Sequence, residues 1–258
     1  MEVHHHPKLN NNPKPWKEYF LEFLMIVLAV TTGFFAESYR EYRTDREKEK
    51  QAIESLVKCL VSDTLQLNNI IESNLQIAMN LDSFVLLKNE DLTLDANKKK
   101  FYAHGSTGFF QDWYFKINDA AMQQLKSSGM LRLIRKQNII DNIFGYELKN
   151  KITVAQEADC YNFFKLSLTD YTKVADLTNL KDTNVVGYTI TNRFVAFKYK
   201  NVNNIFINQD KEKLSTVFNN AALMSAAVEA YAQFMQEQKE YAIGLIDLLN
   251  KEYHLENE

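Results

Sequence analysis

The chain has 258 residues, with 30 basic and 33 acidic side chains and a net charge of −3. That balance gives no basic footprint, so no nucleic acid is expected among its partners. Only 7 glycines and 3 prolines interrupt it, and the prolines (Pro7, Pro13, Pro15) all lie at its start, so long helices are expected beyond residue 15.

Residues 1–15 read as a disordered tail. His4, His5 and His6 within it are taken as incidental, not as metal ligands. The next stretch, Phe23–Ala36, is fourteen residues without a charge. At the helical rise this covers about 21 Å, short of a hydrocarbon core of about 30 Å. Extending it to Tyr19–Ser38 supplies the length but takes in Glu22 and Glu37. Trp16 and Tyr19 on one side, Tyr39 and Tyr42 on the other, stand where interfacial aromatic belts would lie. A soluble core helix would be amphipathic, and this one is apolar all round. A cleaved signal would need small residues before its cut, where Phe34 stands. Residues 16–39 are therefore expected to form a retained transmembrane helix, with the lipid bilayer as its first partner.

Glu22, Ile26, Ala29, Gly33 and Ala36 recur at helical steps and share one face. Ala29 and Gly33 form a small-xxx-small pair that admits a second helix at close range. The face is expected to make a helix–helix contact, with another copy or with a partner. Glu22 has two readings, a functional carboxylate inside a span and an interfacial side chain reaching the headgroups.

Residues 40–258 are expected to form a stalk and a helical bundle domain. "ESYREYRTDREKEKQ" (Glu37–Gln51) mixes both signs without a breaker and reads as a solvated helix. Heptad spacing follows: Ile53, Leu60, Leu67, Asn74 and Leu81 in one series, Leu56, Asp63, Ile70, Ile77 and Phe84 in the other. Eight of these ten are apolar. Asn74 and Asp63 are polar seam residues; they would set register in a coiled coil or face a wet gap in a bundle. Lys88–Lys100 reads as a turn, and Gly105 and Gly108 as loop markers. Phe109, Phe110, Trp113, Tyr114 and Phe115 then cluster as a ligand or partner patch, or as a core plug at the end of a bundle. Asn118 or Asp119 would cap a short helix that ends in the structural turn Ser127-Ser128-Gly129, with Gly129 in the left-handed conformation. Met130, Leu131, Leu133 and Ile134 would fold back onto the core. Helical spacing resumes from Asn138 to about Leu177. Asn184–Asn208 is rich in Val, Ile, Phe, Tyr and Asn and reads as an excursion with one small β-hairpin. A last helix is expected from about Asp210 to Tyr253. The sum is an all-α protein: a transmembrane helix, a long juxtamembrane helix and an antiparallel bundle.

Sites for chemistry are missing. There is no phosphate loop, Cys-x-x-Cys or His-Glu-x-x-His. His104 and His254 have no ligand at helical spacing, and Cys59 and Cys160 read as free, packed thiols. No enzyme activity and no cofactor are expected.

"LEFLMIVLAVTTGFFAESYREYRTDREKEKQAIESLVKCLVSD" and, downstream, "LKSSGMLRLIRKQNIIDNIFGYE" resemble a family of single-span membrane proteins common in Bacteroidetes. Glu22, opening the span, and Leu125–Ile134 carry the match. The chain departs from the family's strongly basic tail and Asn-Asn-Trp exit, having three tail lysines and Glu37-Ser38-Tyr39. The family has no assigned activity, so the resemblance implies location and topology. Three basic residues (Lys8, Lys14, Lys17) precede the span and five (Arg40, Arg43, Arg46, Lys48, Lys50) follow closely. Counts alone favour a cytoplasmic C-terminal domain, but a long domain translocates largely regardless of charge and a short basic tail stays inside. The expectation is a single-pass protein of the bacterial inner membrane with its C-terminal domain in the periplasm. Its role would be that of an interaction or scaffold protein, as a homo-oligomer or with another envelope protein. The alternative is a membrane-tethered sensor with a ligand pocket near Phe109–Phe115.

Overall fold

The computed structural model describes residues 15–109, 118–177 and 205–255. Helix α1 runs Trp16–Leu86, α2 Asp95–Phe109, α3 Ala120–Ser127, α4 Gln137–Val174 and α5 Lys211–Tyr253. Short 3-10 turns cover Leu87–Asn89 and Met130–Leu133. The fold is all-α. The chain divides into two compact units, Met1–Gln51 and Ala52–Glu258.

In the first unit, α1 has no breaker after Pro15 and keeps its ladder throughout. Its apolar part satisfies its own polar groups, as the Thr31 hydroxyl shows by donating to the Val27 carbonyl. Beyond it the charged stretch is laced by pairs one turn apart, such as Arg46 to Glu49 at 2.8 Å and Arg43 to Glu47 at 4.0 Å. The exposed Arg43–Glu47 pair contributes a few tenths of a kcal/mol, about 0.2–0.5, whereas Glu49 of the other pair is buried.

The second unit is an up-down-up-down bundle. The two heptad series of α1 form its inner face: Ile53, Leu60, Leu67, Asn74 and Leu81 are buried, as are Leu56, Asp63, Ile77 and Phe84. The chain then returns through α2 and α3. Phe101 and Phe109 of α2 meet Phe84 with ring centroids 4.7 and 5.6 Å apart. Ala121, Met122 and Leu125 of α3 pack with Ile53, Leu56 and Leu60. Helix α4 runs parallel to α1, with Tyr146 beside Asp63 and Tyr171 beside Phe84. Helix α5 runs antiparallel to α4. Cys160 Sγ donates to the Ala227 carbonyl, and Ser167 Oγ to the Asn220 carbonyl, each at 3.0 Å. The heptad seam is thus filled inside one chain and is not left open for a second.

Helix ends follow local chemistry. Asp210 caps α5 by accepting from the Glu212 and Lys213 amides at 3.0 and 3.1 Å. After α3, Gly129 takes φ 70°, and its amide reaches the Lys126 carbonyl at 3.3 Å. The Ser127-Ser128-Gly129 turn thus closes α3 with Gly129 left-handed, and Ile134 beyond it lies in the core.

One reading of the sequence is corrected. Gly105 and Gly108 do not mark a loop; both lie inside α2 and are buried. A Cβ at Gly105 would come within 2.6 Å of the Tyr171 ring, and one at Gly108 within 2.6 Å of Leu81 Cδ2. Glycine serves here as a gap for a neighbour, not as a backbone hinge. The turn before α2 is accordingly shorter than Lys88–Lys100, since α2 begins at Asp95. Of the Asn184–Asn208 excursion, 184–204 lies outside the described residues. Its return is pinned: Phe206 pairs with Ala175 in an isolated antiparallel bridge, and the Asp176 amide donates to the Ile205 carbonyl at 2.7 Å.

Candidate interaction surfaces and the polar core

The apolar part of α1 is long and apolar enough to cross a membrane. An 18-residue window there has mean hydropathy 1.9, and none of it is buried within the protein. Phe23, Met25, Val30, Phe34 and Phe35 are all more than 60% exposed. In water such a surface would be costly, at about 25 cal/mol per Å² of apolar area. The expected helix-contact residues Ile26, Ala29, Gly33 and Ala36 are likewise exposed, with Glu22 half-buried. A Cβ placed at Gly33 would meet nothing within 4 Å. Among the described residues nothing covers this face. Trp16 stacks on Phe20 at 5.8 Å at the start of the segment.

The aromatic patch divides. Phe109 is fully buried, 4.9 Å from the Tyr171 ring. It is part of the core plug and is not open to a ligand. Phe110, Trp113, Tyr114 and Phe115 lie outside the described residues.

Spacing alone does not reveal the cluster around Asp63. This carboxylate is 1% exposed. Its Oδ2 accepts from the Tyr146 hydroxyl at 2.9 Å and its Oδ1 from the Asn118 amide at 3.1 Å. Burial raises its pKa above the ordinary carboxylate value, partly offset by those two donors. Burial also raises the Tyr146 pKa, with the Asp63 charge adding to it, so the phenol stays a donor. Gln238, wholly buried on α5, donates through Nε2 to Asn150 Oδ1. Its Oε1 has no donor among the described residues. Asp63 was legible as an odd polar residue in an apolar series; Tyr146 and Gln238 were not singled out. The available signal for Tyr146 is its step from Ile139 and Ile143 along one face of α4.

Cys160 is an inert site. Burial pushes its thiol up to about 12, and the Asp159 and Glu157 charges add to that. Its reactive thiolate is therefore scarce at neutral pH.

No protein-family model, curated protein or solved structure matches the chain.

Proposed function

We propose that the protein is a single-pass, non-catalytic interaction protein of the bacterial inner membrane, its bundle in the periplasm. It works as a homo-oligomer or in complex with another envelope protein. The observation that carries this reading is the contrast between the two units. The bundle fills its own heptad seam, whereas the apolar stretch of α1 leaves Ile26, Ala29, Gly33 and Ala36 exposed on the face they share with Glu22. Small residues on such a face favour helix association in lipid, where close van der Waals contact replaces the hydrophobic drive. The resemblance to single-span proteins of Bacteroidetes supports the same location. Burial of Phe109 weighs against the sensor alternative, which needs a pocket at that end.

The test is the assembly state of the full chain in lipid nanodiscs or mild detergent. The wild-type chain is expected to associate and Gly33→Ile to shift it toward monomer. If purification preserves a heteromeric partner, the same substitution should release it. A wild-type monomer with no partner, indifferent to Gly33→Ile, overturns the reading. Accessibility of a cysteine placed in an exposed part of α5 to an impermeant thiol reagent, in intact and in lysed spheroplasts, tests the orientation.

A further inference from the structure

We propose that the outer groove between α1 and α5 is a docking site for an amphipathic helix of another protein, one whose apolar stripe is flanked by lysine or arginine. This deepens the interaction role proposed above and rests on it.

The groove is built by two antiparallel helices. Lys239 Nζ donates to Asn68 Oδ1 at 2.7 Å, and Ser225 Oγ donates to Asp82 Oδ1 at 2.7 Å and to the Ala78 carbonyl at 3.2 Å. Between these ties the two walls part to leave a groove of about 510 Å3. Ile71 and Leu75 form the α1 wall; Ala226, Ala230 and Gln233 form the α5 wall. The alanines keep that wall low, so a third backbone can approach closely. Other apolar side chains of the same two helices are exposed as well. Leu65 is 65% exposed, Met79 62%, Leu86 70% and Leu223 51%. On α1, Leu65, Met79 and Leu86 share a heptad position with Glu72, and Leu75 shares another with Asn68 and Asp82, so apolar and polar side chains alternate on the side away from the core; Leu223, Ala226 and Ala230 step by three and four on α5. Isolated exposed leucines need no account, but a lane walled by Ile71 and Leu75 on α1 and by Ala226 and Ala230 on α5 does. An amphipathic helix laid in such a lane buries anchors spaced by three and four residues.

Charge selects the occupant. Glu229 is the charged residue in the lining, and Glu72, next to Ile71, is exposed beside it. Glu240 lies one turn from Gln236, whose Nε2 donates to it at 2.8 Å. Lys239 donates to the neutral Asn68 and keeps its charge, so three glutamates against one lysine leave the rim acidic on balance. An acidic rim fits a basic-flanked helix. A second copy of this chain fits poorly, because laying its matching face in the groove would bring acidic side chains to an acidic rim.

The test uses the full chain in phosphatidylcholine nanodiscs and a fluorescent 18-residue peptide of leucine and lysine with leucines at helical spacing. Empty nanodiscs give the background. Anisotropy is expected to show saturable binding, at least tenfold tighter than for the same peptide with glutamate in place of lysine. Leu75→Asp should weaken it at least tenfold. The surface double variant Glu72→Lys/Glu229→Lys, which leaves the apolar walls intact, should reverse the preference between the two peptides. Equal binding by wild type and Leu75→Asp, or a charge preference unmoved by the double variant, overturns the proposal. So does a peptide-independent dimer that Leu75→Asp dissolves, since that makes the groove a self-contact. The Gly33→Ile experiment reads the membrane face alone, so either result can fail without the other.

Discussion

The Tyr146 hydroxyl donates to Asp63 Oδ2 at 2.9 Å across the interior of the bundle, joining residues 83 positions apart. With the Asn118 amide on the other carboxylate oxygen, it satisfies a buried charge from two separate segments of the chain. Tyr146→Phe removes one donor and leaves the carboxylate with the other. Losing a hydrogen bond to a buried charged group costs about 1–3 kcal/mol. The expected outcome is a lower thermal midpoint for the full chain, followed by circular dichroism at pH 7. Tyr146→Phe combined with Asp63→Asn should lose less than the sum of the two single changes. Strict additivity would show that the two side chains do not act together.

Asp63 also fixes a pH dependence. Its folded pKa is raised, mainly by burial, so in the window between the unfolded and folded values the folded protein holds more protons. Stability from this group is therefore fully present below the unfolded pKa and is lost as pH rises through the folded one. Paired carboxylates act in the opposite sense. Lys126, chiefly through its hydrogen bond, holds Glu147 below its ordinary value, so its contribution is lost on acidification. The measurement must then be a difference. The midpoint of wild type minus that of Asp63→Asn is expected to fall as pH rises from about 4. A flat difference across the acidic range would contradict the buried-carboxylate account.

How far the sequence carried the fold depends on the range of the signal. The α1 seam was legible because Ile53 through Phe84 repeat at seven-residue steps, and a single helix needs no distant information to show its buried face. The start of the last helix near Asp210 and the left-handed Gly129 are legible for the same reason; that the Asp210 side chain caps the helix is a finding of the structure. Gly105 and Gly108 were misread because a glycine can supply either a hinge or a gap. Only the position of Tyr171 and Leu81, far along the chain or on another helix, decides between them. Asp63 announced a need for donors but not their source.

Gly129 carries the turn after α3. With φ at 70°, a side chain there is strained whatever space surrounds it. Gly129→Ala is expected to cost about 1 kcal/mol and Gly129→Val more, as β-branching is poorly tolerated in the left-handed region. Urea unfolding with an unchanged m-value would report this cleanly. Equal stability of the alanine and valine variants would contradict a backbone origin.

The two tightly packed glycines facing tyrosines should behave differently. At Gly105 an added methyl meets the Tyr171 ring at 2.6 Å, and that ring is wholly buried between Phe84, Phe101 and Phe109. It has nowhere to go, so Gly105→Ala is expected to destabilise by about 1–3 kcal/mol despite alanine's better helix propensity. At Gly145 the methyl meets the hydroxyl end of Tyr241, which is half-buried, packs at the edge of the Ile53 cluster and has a 3.4 Å hydroxyl contact with Asn142. That end can swing aside, and the helix gains up to about 1 kcal/mol from alanine. Gly145→Ala should therefore be near neutral. Thermal midpoints of the two variants, measured side by side, check the contrast. A Gly145→Ala loss as large as that of Gly105→Ala would mean that Tyr241 is as fixed in its place as Tyr171.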